Sequence, residues 1–229
     1  MTWIETELLV CAATSRELAT FDPLNEGSWD EVAAASFGSR FAGSVTGVGI
    51  PLTLLRLPSL LRELKPKLVL NIGIAGAYPN SGLRIGDVVM ARSEIFGDIG
   101  FELPDEPSFQ HVSSVSFGAY YAKAPLFLAP TFRYEPVGYR FAEIDACTVN
   151  ACTGTKLTGL MRERVFGVAM ESMEGAAVAL ACSAAGIPVC EVRAISNMAS
   201  DRDMRPENIA IALQNLTDYL AACRRREGI

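Results

Sequence analysis

Four short segments set glycines or polar side chains against the ends of apolar runs, the places where a buried sheet presents its residues to a ligand. Thr46-Gly47-Val48-Gly49-Ile50-Pro51 follows an apolar run and opens a helical pattern, as a dinucleotide fingerprint does. Its third glycine would fall at Leu52, and the next strand closes in Asn71-Ile72-Gly73 with no acid, so nicotinamide and flavin chemistry have no support. Asn71-Ile72-Gly73-Ile74-Ala75-Gly76-Ala77 reads as a tight turn that ends a strand and lets backbone approach a ligand. Met170-Glu171-Ser172-Met173-Glu174-Gly175 puts acids ahead of a small-residue helix, where Glu174 could cap the helix as well as hold a ligand. Glu191-Val192-Arg193-Ala194-Ile195-Ser196-Asn197 gathers polar side chains at the carboxyl end of a strand, before the charged loop Asp201-Arg202-Asp203.

Other chemistries lack their motifs. There is no P-loop and no G-x-S-x-G elbow. His111 is the only histidine and sits in a Ser-rich stretch, which leaves neither a zinc site nor a His-dependent triad. Cys11, Cys147, Cys152, Cys182, Cys190 and Cys223 are scattered among mostly apolar neighbours with no Cys-x-x-Cys, the pattern of buried thiols. The expectation is an enzyme with no metal and no cofactor.

The elements that must position these groups alternate along the chain. Apolar runs at Leu8 to Ala13, Leu68 to Ile72, Val88 to Ala91 and Val189 to Ile195 show little alternation, as strands buried on both faces do, and Phe166 to Met170 reads as another strand. Helical patterns cover Ser15 to Phe21, Pro51 to Leu64 with Pro58 expected to kink or break it, Lys156 to Arg164, Glu174 to Ala185 and Arg205 to Arg226. The order predicts a single α/β domain over residues 1–229, with a mainly parallel (mixed) central sheet flanked by helices. The stretch from Phe101 to Arg140 is aromatic, Pro-rich and loop-like, the kind of segment that covers a binding site.

Composition narrows the partners. Half the residues are hydrophobic (50%) against 20% charged, so the chain is globular rather than disordered. A net charge of -6, with Arg224, Arg225 and Arg226 as the only basic block, argues against nucleic acid. Glu5 and Glu7 stand where a secretory signal would carry basic residues, and no apolar run reaches the ~20 residues of a membrane span, so a cytoplasmic location with no membrane partner is expected.

Taken together, the four segments resemble the nucleoside phosphorylase and nucleosidase superfamily. N-I-G-I-A-G-A at 71–77, G-D-V-V at 86–89 with F-G-D at 96–98, M-E-G-A-A at 173–177 and R-A-I-S-N at 193–197 stand in that family's order and spacing. The similarity is greatest to its 5'-methylthioadenosine/S-adenosylhomocysteine nucleosidase branch and, within that, to futalosine hydrolases of menaquinone biosynthesis. It covers nearly the whole chain and is weakest from Phe101 to Arg140.

The resemblance implies a nucleoside phosphorylase-like fold, a small-molecule purine nucleoside as substrate and a homo-oligomer in which a neighbour's loop closes the pocket. It matches Glu17 to the water-activating glutamate, Met173 and Glu174 to the pair that meets the ribose, and Asn150 and Cys152 to the wall facing the purine. The aromatic usual in that wall is absent. Ala75, Gly76, Arg193 and Ser196 fall in the matched motifs and complete the substrate-binding set, with Glu17 and Asn197 as catalytic candidates.

Two departures refine the expected chemistry. The phosphorylases carry a serine at the position of Ile74, which offers no donor to phosphate, so water is the expected nucleophile. Asn197 stands where adenine-specific nucleosidases carry Asp, and an amide can donate toward N7 and O6 of a 6-oxopurine. A 5' extension ending in an aromatic carboxylate further implies a cation at the pocket mouth, with Arg133, Arg140 and Lys123 as candidates.

Overall fold

The computed structural model describes residues 6–21, 35–36, 41–104, 108–114, 126–127, 141–201 and 203–227. Among the described residues there are eleven strands and five α-helices: β1 (Leu8–Ala12), α1 (Ser15–Leu18), β2 (Ala35–Ser36), β3 (Phe41–Val45), α2 (Ile50–Leu64), β4 (Leu68–Ala77), β5 (Val88–Phe96), β6 (Gly100–Leu103), β7 (Ser108–His111), β8 (Leu126–Phe127), β9 (Phe141–Thr148), α3 (Lys156–Phe166), β10 (Met170–Ser172), α4 (Gly175–Ala185), β11 (Val189–Met198) and α5 (Pro206–Glu227).

The central sheet runs β10-β9-β5-β11-β4-β1-β3-β2, with β8 on β5. Its β1–β3, β1–β4, β4–β11, β5–β9 and β9–β10 pairs are parallel, while β5–β11 and β4–β10 are antiparallel, so the sheet is mixed as expected. Because β10 pairs with both β9 and β4, the strands β4, β11, β5, β9 and β10 close on themselves. Closure removes exposed edges at that end. The carboxyl ends of β4 and β11 and the turn from β10 into α4 are thereby held together.

Three expectations on the elements are corrected. The glycine segment at 71–77 is not a turn: β4 continues to Ala77, because β11 pairs with it along its length and β10 takes its last two residues. The expected strand at 166–170 is instead the end of α3, capped by Gly167, and β10 begins only at Met170. Pro58 does not break α2. The helix buries Leu57, Leu60 and Leu61 against α4 and the sheet. At about 1.5–3 kcal/mol for each buried leucine, that packing outweighs the ~3 kcal/mol cost of an interior proline.

The core lies on both sides of the sheet. Leu9, Leu57, Leu61, Val178 and Cys182 fill one layer, and Val10, Ile72, Val192, Leu216 and Tyr219 the other. Cys11, Cys147, Cys182, Cys190 and Cys223 are buried thiols, whereas Cys152 is exposed, and no disulfide joins any of the six among the described residues. No helix of the described residues is long and apolar enough to cross a membrane. Phe101 to Leu103, expected as loop, form an exposed hairpin strand with β7; most of the stretch up to Arg140 lies outside the described residues.

Candidate active site

A cleft of about 350 Å³ opens where α1, the ends of β4 and β11, and the β10–α4 turn meet. That volume suits a small ligand. Of the residues selected from sequence, Glu17, Ala75, Gly76, Cys152, Met173, Glu174, Ser196 and Asn197 line it. Asn150 and Arg193 do not. Asn150 is exposed, its backbone N–H and side-chain amide both donating to Asp98. Arg193 is fully buried behind the cleft wall.

Glu17 is fixed by α1, a helix of four residues. Thr14 caps α1 and accepts from the Glu17 backbone N–H (3.3 Å), while Glu17 Oε2 accepts from the Thr14 N–H (3.1 Å) and Oγ1 hydroxyl (2.8 Å). This is a reciprocal capping box, written in the sequence as T-x-x-E. A third donor, the Ile74 N–H of β4, reaches Glu17 Oε1 at 3.0 Å. Glu17 as a whole is 7% exposed and lies at one wall of the cleft. Gly73 leaves room for it: a Cβ there would lie 2.6 Å from Glu17 Oε1 and strike Arg193 Nη1.

Glu174 occupies the N-cap of α4, yet its side chain makes no cap hydrogen bond. It reaches across instead, Oε1 accepting from the Gly49 N–H at 2.9 Å and Oε2 lying 3.8 Å from Arg193 Nη1. Burial pushes its carboxyl above the ordinary range, against the pull of Arg193 and the Gly49 hydrogen bond. The capping alternative is thus not what the side chain does.

Asn197 owes its direction to a bulge. The register of β11 on β4 slips between Ile195 and Asn197, so Ser196 and Asn197, neighbours on a strand, both line the cleft. Asn197 Oδ1 accepts from the Ser196 hydroxyl (3.0 Å), and Nδ2 donates to Met198 O (3.1 Å). One amide N–H is therefore engaged, and a single N–H remains for a ligand, not two.

The structure adds residues that motif reading missed. Thr14, Arg16, Val48, Glu171, Ser172, Met204, Ile209 and Leu213 also line the cleft, beside Ile74, which the sequence singles out for its missing donor. Ile209 and Leu213 stand four apart on α5, a helical spacing legible in sequence, but nothing local says that this face borders the cleft. Glu171 is already saturated, accepting from Tyr78 Oη (2.8 Å), the Thr153 N–H and hydroxyl (both 2.6 Å) and Arg162 Nη1 (3.2 Å). Its work is structural. Arg133, Arg140 and Lys123 lie outside the described residues; among those that line the cleft, Arg16 alone is basic.

A mixed sheet closed at one end brings the Glu17 and Glu174 carboxylates and a bulged strand end to one cleft. The chain belongs to the phosphorylase superfamily, whose model matches residues 38–225. Within it the chain belongs with the futalosine hydrolases. It is 34% identical over 207 residues to futalosine hydrolase of Streptomyces coelicolor, a match covering 89% of this chain and 81% of that protein. It is 30% identical over 192 residues to futalosine hydrolase of Thermus thermophilus, covering 83% and 84%. The solved futalosine hydrolase of Helicobacter pylori has the same fold, with a TM-score of 0.79 at 17% identity over 97% of this chain and 98% of that one.

Proposed function

We propose that this chain is a nucleosidase that uses water to cleave the N-glycosidic bond of futalosine, releasing hypoxanthine and leaving dehypoxanthine futalosine. The observation that carries the reading is the convergence of the Glu17 and Glu174 carboxylates and the Asn197 amide on one cleft. Breaking the bond leaves positive charge on the ribosyl ring and negative charge on the purine. Glu17, held by three donors, takes the proton of the attacking water. Glu174 accepts from the ribose hydroxyls, with Met173 packed beside it. Asn197 donates its remaining N–H to the departing 6-oxopurine.

The side chain of Ile74 supports water over phosphate as nucleophile, since it lines the cleft without a donor. A methylthioadenosine-type nucleosidase is the second reading, favoured by a 25% identity over 179 residues to the 5'-methylthioadenosine/S-adenosylhomocysteine nucleosidase of Shewanella oneidensis. Exposed Val48, Leu52 and Leu55, at 50%, 41% and 73%, give α2 and the cleft rim an apolar face suited to a second copy, so a homo-oligomer is part of the proposal. The cytoplasm is its proposed location.

The test is purine release from futalosine, inosine and methylthioadenosine in phosphate-free buffer with a metal chelator, then with phosphate added. Futalosine should be hydrolysed fastest without either addition. An absolute requirement for phosphate would overturn the hydrolase reading.

A further inference from the structure

Behind the cleft wall, four carboxylates surround one guanidinium. Glu94 of β5 and Glu191 and Arg193 of β11 are fully buried, and Arg193 Nε donates to Glu191 Oε1 at 2.7 Å. Its Nη1 faces the cleft acids, 3.8 Å from Glu174 Oε2 and beside Glu17 Oε1 at Gly73. The remaining oxygens of the deeper pair, Glu94 Oε1 and Glu191 Oε2, have no hydrogen-bond partner among the described residues. Both crowd Gly175: a Cβ there would strike Glu94 Oε1 and lie 2.6 Å from Glu191 Oε2.

Two ionised carboxylates facing each other in a dry interior would repel, and one oxygen of each would lack a donor. One proton removes both problems. We propose that Glu94 is a positioning residue that shares a proton with Glu191, so that Glu191 keeps one negative charge for Arg193 Nε and the guanidinium holds its other edge against Glu17 and Glu174. The groups facing Glu94 are Glu191 and Arg193 of β11, Glu174 at the start of α4, the buried Cys147 thiol of β9 and the Thr148 hydroxyl of β9, which donates to Glu94 Oε2 at 2.9 Å. Burial, and after it the charge of Glu191, pushes the Glu94 carboxyl well above its ordinary range, in the direction the geometry requires. Loss of the shared proton would place a second negative charge beside Glu191 and draw Arg193 away from the cleft acids.

The experiment has two arms, of which only the kinetic one rests on the nucleosidase reading. Infrared spectra of the wild type at neutral pH should contain a carboxylic-acid C=O stretch that is missing from Glu94→Gln. In the kinetic arm, kcat/KM for futalosine hydrolysis should fall on the alkaline side in the wild type. Glu94→Gln, whose amide supplies the donor permanently, should retain turnover at neutral pH and lose that alkaline fall, while Glu94→Ala should lose about tenfold or more. Melting temperatures of both variants establish that each is folded. The proposal is overturned if the infrared band is absent from the wild type or persists in Glu94→Gln, or if Glu94→Gln loses as much activity as Glu94→Ala. Absence of all turnover in the wild type, with the band present, would instead sink the nucleosidase reading alone.

Discussion

At the scale of single residues, the two cleft carboxylates differ in what surrounds them, and that difference should separate their variants. Glu17 is oriented by Thr14 and Ile74, and in the proposed mechanism it meets the substrate only through water, so Glu17→Gln should abolish turnover while calorimetric affinity stays near that of the wild type. Glu174→Gln should weaken binding and turnover together, because Gly49 and Arg193 aim its carboxylate at the position proposed for the ribose. Normal turnover in Glu17→Gln would remove it as the base. Asn197 is the residue proposed to carry the substrate choice. Asn197→Asp replaces the one uncommitted N–H by an oxygen, and also sets an acceptor against Met198 O. An unmatched buried polar contact costs about 1–3 kcal/mol, worth roughly five- to a hundredfold in rate. The kcat/KM for futalosine should therefore fall much further than for its 6-amino analogue, and equal losses on the two would take Asn197 out of base recognition.

At the scale of elements, α4 is shaped by what its first turn must avoid. Glycine costs a helix about 1 kcal/mol relative to alanine, so Gly175→Ala would stabilise α4 if only helix propensity mattered. Here the added methyl would meet Glu94 and Glu191 at their unpartnered oxygens. The substitution should lower both the melting temperature and kcat, and a rise in melting temperature with full activity would show that the packing around α4 can yield. The same close approach governs β4, where Gly73 makes room for a carboxylate and a guanidinium on one side of the strand.

At the scale of the whole molecule, the buried acids tie stability to pH. Glu94 and Glu174 both have carboxyls raised above the ordinary value of 4.5 by burial. An acid raised in the folded state contributes its full stability below the ordinary value and loses it as pH climbs toward the folded one. Glu94→Gln has no such proton to lose. Its melting temperature relative to the wild type should therefore rise as pH climbs above the ordinary value of 4.5, and a difference that stays constant with pH would mean that Glu94 does not titrate in the folded protein.

Sequence alone determined much of this protein, wherever information was local. The buried strands β1 and β11 and the long α5 each rest on the pattern of apolar residues along one segment. Eight of the ten residues chosen from motifs meet in one cleft because the motifs end strands whose carboxyl ends are adjacent. Tertiary structure decided the rest. Whether 71–77 turns or continues depends on β11 and β10 offering partners from more than 90 residues away. The placement of Arg193 behind the wall depends on Glu191, Glu174 and the space left by Gly73. The two N–H groups of Asn197 looked equivalent in sequence, but a bulge turned one of them onto Met198 O. Hydrogen-bond pairing between distant strands and the shortage of room around buried charges are properties of the packed chain, and no window of sequence contains them.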